Sequence, residues 1–376
     1  MKNVKVVIGA GFGDEGKGLV TSCFSKEADG KALNVLFNGG PQRGHTANNH
    51  VYHAFGSGFH FGADTYYTKE FMFNPIATCQ EGEELYFDNS VKNKLLINKK
   101  CRITLPHDVI INREIERARG SRKHGSCGMG IWETYLRSKK NPIYAEDMLD
   151  FWKLFEKIKL AEREYYPARI KELGLRENLF NFSIDGFFES CSELLNSNCV
   201  KVVEDNIMTT GEYGSIIFEA GQGLLLDENN VEFMPNLTAS STGSKNISGF
   251  IDSLDEKVNV EVCYVIRSYM TRHGAGRFDT ECKKEEINPN ISDKTNIPNE
   301  FQGSLRFGLL DLPLIMKNIE KDFSYYNRKV KKSIAVTHLN YTNGNLFTSN
   351  GYIKPEELKK YGFNRIYKSY KPDHMF

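Results

Sequence analysis

Val4-Lys5-Val6-Val7-Ile8-Gly9-Ala10-Gly11-Phe12-Gly13-Asp14-Glu15-Gly16-Lys17-Gly18-Leu19-Val20 is the stretch from which the fold is read. Val4, Val6, Val7 and Ile8 are apolar and β-branched, which predicts a buried strand. A glycine-dense turn follows, Gly9 to Gly18, and Leu19 and Val20 open a helix. A strand–turn–helix junction aims backbone N–H groups and the positive end of a helix dipole at one point, which suits phosphate. Gly11, Gly13 and Gly16 spell GxGxxG, the dinucleotide fingerprint. Gly11, Gly16 and Lys17 spell GxxxxGK, a P-loop-like pattern with Gly18 where Ser or Thr would hold a metal. The dinucleotide reading needs a carboxylate at the end of the second strand, for the ribose. That strand reads Asn34-Val35-Leu36-Phe37 and ends in Asn38-Gly39-Gly40, with no acid. An NAD-dependent dehydrogenase is therefore disfavoured, and Lys17 points to nucleotide phosphates.

The chain of 376 residues is long enough for a substantial core. Its net charge of +1 argues against a nucleic-acid partner. Met1-Lys2-Asn3 runs straight into the first strand, which leaves no room for a signal peptide, and no run of apolar residues is long enough to span a membrane. Eight cysteines without a CxxC pair favour reduced thiols in a cytoplasmic protein and no zinc site. Buried strands are predicted at Ser215 to Glu219 and Val260 to Ile266, with Ser333 to Val336 as the last core strand. Ile111 to Arg119 reads as a helix. Ala145 to Leu175 is helical in period, but Tyr165-Tyr166-Pro167 predicts a break into two helices. The fold class is α/β: a mostly parallel central sheet with helices on both faces and a P-loop-like loop after the first strand. One large domain, 1–376, carries a helical cover at about 145–205.

The hexapeptide Gly13-Asp14-Glu15-Gly16-Lys17-Gly18 resembles the signature of the adenylosuccinate synthetase family, purine ligases that join aspartate to C6 of IMP. Other segments resemble the family in order along the chain. Gly39 to Thr46 resembles GGxNAGHT, with Gly44, His45 and Thr46 in place and Gln42-Arg43 replacing Asn-Ala. Gly125-Ser126-Cys127-Gly128-Met129-Gly130 resembles GTTGRGIG, whose hydroxyls and amides hold the 5′-phosphate; Ser126 keeps a hydroxyl and Cys127 offers a thiol. Glu219-Ala220-Gly221-Gln222-Gly223-Leu224-Leu225-Leu226-Asp227 is similar to EGAQGxxLD, which puts Gln222 on the glutamine that contacts the purine 6-position. Pro235 to Thr242, with Thr238, resembles the phosphate-holding PYVTSSxTT. Thr271-Arg272-His273-Gly274-Ala275-Gly276-Arg277-Phe278 resembles TRVGAGPF, whose Gly274 turn approaches the sugar. The family's arginine-rich loop is thinned to Glu300-Phe301-Gln302-Gly303-Ser304-Leu305-Arg306, which leaves Arg306 to fork onto a substrate carboxylate. Thr337-His338-Leu339-Asn340 sits on TKLD, so Asn340 replaces the guanine-reading Asp. The phage branch, which makes 2-aminoadenylosuccinate from dGMP, also shows Asn-Tyr there.

The resemblance implies a two-step ligase. Asp14 is the general base at purine N1, and O6 attacks the γ-phosphate of a nucleoside triphosphate. Gly13, Glu15, Gly16, Lys17, Gly18, Gly44 and Thr46 bind the nucleotide, and His45 stabilises the transferring group. The implied cofactor is Mg²⁺, between Asp14, the Gly44 carbonyl and the phosphates. The implied partners are a nucleoside triphosphate (ATP favoured over GTP), a 6-oxopurine mononucleotide (IMP or dGMP) and L-aspartate. The family is usually a homodimer in which an arginine crosses to a phosphate; Arg137 fits that role poorly, and Lys139 and Lys140 are the alternatives. A different amine donor and a non-catalytic nucleotide sensor remain as competing functions.

Overall fold

Strand β1 (Asn3–Gly9) forms where the β-branched run predicts it. Val4, Val6 and Ile8 enter one apolar cluster and Val7 another, so the strand is covered on both faces. That double burial is the reason for the continuous apolar run. The computed structural model describes residues 3–85, 92–292, 300–301 and 303–376; Met1, Lys2 and Gln302, read above, lie outside them. The other sheet strands are β2 (Ala32–Leu36), β3 (Asp64–Tyr67), β4 (Leu95–Asn98), β5 (Val200–Val203), β6 (Ser215–Gly223), β7 (Asn259–Arg267), β8 (Lys331–Thr337) and β9 (Arg365–Lys368). Among the described residues these nine form one sheet in the order β9-β8-β7-β1-β6-β2-β3-β4-β5. Every neighbouring pair is parallel. All the carboxyl ends therefore share one edge, and the glycine loops that follow β1, β2 and β7 converge there.

Helix α1 (Lys17–Lys26) starts two residues before Leu19, directly after Gly16, which is left-handed at φ 93°. Val20 and Phe24 pack with Val7 of β1, Ile217 of β6 and Val265 of β7. Helix α2 (Pro75–Leu85) begins at Pro75, as Asn74-Pro75 suggests. Helix α3 (Pro106–Arg119) extends the expected Ile111 start back to a proline, whose missing N–H costs nothing in a first turn. Asp108 caps that end by accepting from Leu105 N at 3.0 Å.

Three expectations are corrected. β8 is not the last strand: Arg365–Lys368 adds β9 at the edge, and its exposed Arg365 hid it from an apolar-run criterion. The cover expected over 145–205 is helical through Asp185–Asn196, but then Val200–Val203 pairs with β4 as the opposite edge. The break at Tyr165-Tyr166-Pro167 is absent. Phe151–Leu160 passes through a π turn, Ala161–Tyr165, into Tyr166–Leu173, with right-handed helical backbone throughout. Pro167 has no N–H to give, and the one-residue-wider π turn lets the helix continue past it.

Arg137 is fully buried, paired with Asp108 at 2.9 Å and donating to the Ile103 and Asn141 carbonyls. It cannot cross to another subunit, whereas Lys139 and Lys140 are exposed. Among the described residues, no helix is long and apolar enough to cross a membrane.

Candidate active site

The loop after β1 is shaped by its own charges. Glu15 is buried, and its Oε1 accepts from Gly11 N at 2.9 Å and Gly13 N at 2.7 Å. Lys17 Nζ donates to Glu15 Oε2 at 3.0 Å and to the Gly13 carbonyl at 2.6 Å. Burial pushes the Glu15 carboxyl up, but the Lys17 charge and the Gly13 N–H outweigh it and hold it below the usual range. Lys17 keeps one of its three N–H donors beyond these bonds. Gly13 and Gly16 have φ of 117° and 93°, values that favour glycine. Asp14 stands at the loop tip, its carboxylate partly exposed, with His273 Nε2 3.5 Å away. Its carbonyl accepts from Arg267 Nε, and the Glu15 carbonyl accepts from Thr337 Oγ1 of β8 at 2.7 Å.

Gly18, where a P-loop has Ser or Thr, has a packing reason. A Cβ there would lie 3.0 Å from His45 Cβ and 3.0 Å from the Thr46 carbonyl. The loop after β2 thus leans on the first turn of α1. It continues into a hairpin, His45–Ala47 with His50–Tyr52, turned by Asn48 and Asn49 at φ 51° and 61°. That Asn-Asn signal was overlooked in the sequence.

His45 is held from three sides. Its Nδ1 is 2.7 Å from Glu219 Oε1 and 2.8 Å from Arg43 Nη2, and its Nε2 is 3.2 Å from the Gly221 carbonyl. Arg43 and Glu219 form a buried ion pair at 2.7 Å, and Glu219 also takes Ser57 N at 3.0 Å and Ser57 Oγ. Burial, then the Arg43 charge, lowers the His45 pKa to about 3, so the ring is neutral. Burial alone would raise Glu219, but Arg43 and His45 bring it down to about 2. Glu219, Arg43 and Ser57 were not singled out from the sequence. A carboxylate at the end of Ile216-Ile217-Phe218 was the available signal.

Gln222 ends β6 nearby. Neither its Oε1 nor its Nε2 has a partner among the described residues, although both atoms are buried. The same holds for Gln42. Gly39 lies between them: a Cβ there would be 2.6 Å from Gln222 Oε1 and 2.9 Å from Gln42 Nε2. A buried unpaired amide costs about 1–3 kcal/mol, a cost that a ligand with matching donors and acceptors removes.

The outer loops meet at glycines. A Cβ on Gly125 would lie 2.5 Å from Gly274 Cα, and one on Gly274 2.8 Å from the Gly125 carbonyl. Asn236 Nδ2 donates to the His124 carbonyl at 3.0 Å, which joins the Thr238 segment to them. Ser126 Oγ accepts from Asn112 at 3.0 Å and retains its own hydrogen. Burial pushes the Cys127 thiol up to about 11, so it stays protonated. Arg306 forks onto Glu281 and donates to the Gly274 and Gly276 carbonyls at 3.2 and 2.9 Å, which places it behind the Gly274–Gly276 turn. Gly44 and Asn340 are exposed, Asn340 in the short turn after β8. The structure thus brings Asp14, Lys17, His45 and Gln222 to one sheet edge.

Residues 6–339 match the family model for adenylosuccinate synthetase. The chain belongs to this family. It is 30% identical over 297 residues to the adenylosuccinate synthetase of Mesoplasma florum, covering 75% of this chain and 66% of that one. It is 29% identical over 325 residues to the Flavobacterium johnsoniae enzyme, covering 82% and 73%. The chain thus spans about two thirds of the first relative's length. In fold it resembles fully ligated adenylosuccinate synthetase from Plasmodium falciparum, with a TM-score of 0.71 at 20% identity, over 90% of this chain and 77% of that one. It also resembles cyanophage S-2L succinoaminodeoxyadenylate synthetase bound to dGMP and dATP as an energy donor, with a TM-score of 0.61 at 15% identity. That match covers 100% of this chain and 95% of the phage chain.

Proposed function

We propose that the protein phosphorylates the 6-oxo group of a 6-oxopurine mononucleotide with a nucleoside triphosphate and joins L-aspartate at C6. The observation that carries this is the pair of unpartnered buried amides, Gln42 and Gln222, beside the loop that bears Asp14 and Lys17. A 6-oxopurine offers an acceptor at O6 and a donor at N1, which is the complement of a carboxamide. Asp14 removes the N1 proton, and negative charge develops on O6, where Gln222 donates. O6 attacks the γ-phosphorus, the bond to the β-phosphate oxygen breaks, and the nucleoside diphosphate leaves. Lys17 and the Gly16 and Gly18 amides neutralise the phosphates, and His45 steadies the transferring group. The amine then attacks C6 and expels phosphate. The 5′-phosphate is assigned to Ser126, Cys127 and Thr238, and the sugar to the Gly274 turn. Asp14 and the Gly44 carbonyl are hard oxygen donors, and among the described residues the ion-pair contact of Asp14 is with His273 at 3.5 Å; the pair suits Mg²⁺. Mg²⁺ supplies charge neutralisation on the phosphates.

The acceptor is IMP or dGMP. The bacterial relatives favour IMP; the near full-length match to a dGMP-bound phage enzyme favours dGMP. The test is to supply ATP, Mg²⁺ and L-aspartate with IMP, GMP or dGMP separately and to read product masses. A succinyl adduct is expected from IMP or dGMP; an adduct from none of the three removes aspartate ligation. The rival in that case is another amine, favoured by Arg306 being spent on Glu281 and two carbonyls. A homodimer with a lysine from Lys139 or Lys140 reaching the partner's site belongs to the same reading.

ATP or dATP is expected to serve better than GTP, because the amide of Asn340 gives guanine no ionic anchor at N1 and N2. The check is kcat/KM for ATP and GTP in the wild type and in Asn340→Asp, which should move preference toward GTP. A tenfold wild-type preference for GTP would contradict the base-recognition argument.

A further inference from the structure

β6 runs past its partners. Its pairing with β2 ends at Glu219 opposite Leu36, and its register with β1 skips from Glu219 opposite Val7 to Gly223 opposite Gly9. Ala220, Gly221 and Gln222 therefore face no residue of either neighbour in the ladder, and a buried backbone N–H among them needs an acceptor from elsewhere. Asn38, just beyond the end of β2, supplies one: its Oδ1 accepts from Gly221 N at 2.7 Å. Its Nδ2 donates to the Ser241 carbonyl at 3.0 Å. A backbone N–H can only donate and a carbonyl can only accept, so the two contacts fix which way the Asn38 amide points. The side chain is buried and stands in for the rung that β2 no longer offers.

Gln222 is the next residue along. Its carboxamide has no partner among the described residues, so no hydrogen bond at its tip fixes its aim. That aim follows from the backbone at Gly221 and from the space over Gly39, where a Cβ would lie 2.6 Å from Gln222 Oε1. Gly39 is itself held: its N–H donates to Ser240 Oγ at 3.1 Å and its carbonyl accepts from Met72 N at 2.7 Å. Asn38 holds the peptide N–H that precedes Gln222, and Gly39 leaves room for the Gln222 amide.

We propose that Asn38 is a positioning residue for Gln222: by replacing the missing ladder rung it aims the Gln222 carboxamide at the 6-substituent of the bound purine. Both ends of the Asn38 amide are spent on backbone, so it acts through Gln222. The other end of the bridge has ties of its own, because Asp227 Oδ2 accepts from Thr242 N at 2.7 Å and from Ser241 Oγ at 3.2 Å. Loss of the Asn38 amide therefore leaves the Ser241 segment anchored and falls on Gln222. The inference rests on the reading of Gln222 as the residue that meets the purine 6-position.

The experiment compares wild type, Gln222→Ala, Asn38→Ala and the double variant by calorimetry with two pairs of probes. IMP is set against purine riboside 5′-monophosphate, and dGMP against 2-aminopurine deoxyriboside 5′-monophosphate; the second of each pair carries hydrogen at C6. Each single variant should weaken the 6-oxo nucleotide that binds by about tenfold, as for loss of a buried hydrogen bond, and leave its C6-hydrogen analogue within about twofold of wild type. The double variant should bind within about twofold of either single one, because both substitutions remove one interaction. Asn38→Asp, which keeps the acceptor for Gly221 N, should retain the wild-type preference for the 6-oxo nucleotide. Losses that multiply in the double variant, an equal loss for both nucleotides of a pair in Asn38→Ala, or a lost preference in Asn38→Asp each overturn the proposal. Where Asn38→Ala does not fold, amide exchange in the nucleotide-free wild type decides: Gly221 N–H should exchange more than about 10²-fold slower than in unstructured chain, and an unprotected amide overturns the tether. Binding of neither 6-oxo nucleotide by the wild type sinks the functional reading and the proposal with it, whereas binding with multiplying losses sinks the proposal alone.

Discussion

Asp14→Asn is expected to lower turnover by about 10²–10⁴-fold, the range for loss of a general base, without loosening the fold. Asparagine keeps the size of the side chain and one oxygen, but it cannot accept the N1 proton. The loop does not depend on the carboxylate for its shape. Glu15 ties the Gly11 and Gly13 amides, Lys17 ties the Gly13 carbonyl, and Arg267 holds the carbonyl of residue 14 itself. The side-chain ion pair that would be lost is a 3.5 Å contact with His273 at a partly exposed position, where such pairs contribute little. The measurement is phosphate release with all substrates present, beside a urea melt. Unfolding free energy should stay within about 0.5 kcal/mol of wild type. Residual activity above about one part in a hundred would remove Asp14 from the role of base.

The loops of the site were more legible than their connections. β1, β6 and β7 were readable because strands buried on both faces of a parallel sheet must be continuously apolar, and Val4 to Ile8 is. The edge strands β5 and β9 carry Lys201 and Arg365 into solvent and lack that signature. The helix from Phe151 to Leu173 was misread because proline was weighed as a breaker, while a π turn absorbs it. In the site, Lys17 was legible because a glycine loop at a strand end announces a ligand edge, whereas Asp14, His45 and Gln222 came from the resemblance of their loops to the family's motifs. What those residues touch was not readable. The Glu219 partner of His45 lies 174 positions away, and no local pattern encodes a pair that only the β2–β6 pairing creates. Lys17 was assigned to phosphate alone, and nothing in GDEGKG tells that Glu15 two residues earlier turns back onto it.

Gly223→Ala is expected to disable nucleotide binding, and the reason is space. Gly223 has φ −103° and ψ 160°, extended backbone that any residue adopts, so strain is not the cause. A Cβ would lie 2.7 Å from both the Gly11 carbonyl carbon and Gly13 N, and closer still to the Gly11 oxygen. These are backbone atoms and cannot rotate away. Leu225 N also donates to that Gly11 carbonyl at 3.0 Å, so the loop is tied to β6 at the point of collision. Relief requires the loop to move, and Asp14 and Lys17 move with it. Overpacking of this kind costs about 1–3 kcal/mol, and a displacement near 1 Å costs about 10²-fold in rate. Gly221 gives the contrast within the same motif: its Cβ would lie 3.3 Å from the Asn38 carbonyl, a contact that a shift of a few tenths of an ångström relieves. Gly186, in the helix Asp185–Asn196, has nothing within 4 Å, so alanine there should be neutral or stabilising by up to about 1 kcal/mol. Triphosphate binding by calorimetry and unfolding in urea, measured on the three alanine variants together, separate the cases. Wild-type binding and turnover in Gly223→Ala would mean that the loop after β1 does not need its contact with β6 to hold Asp14 and Lys17 in place.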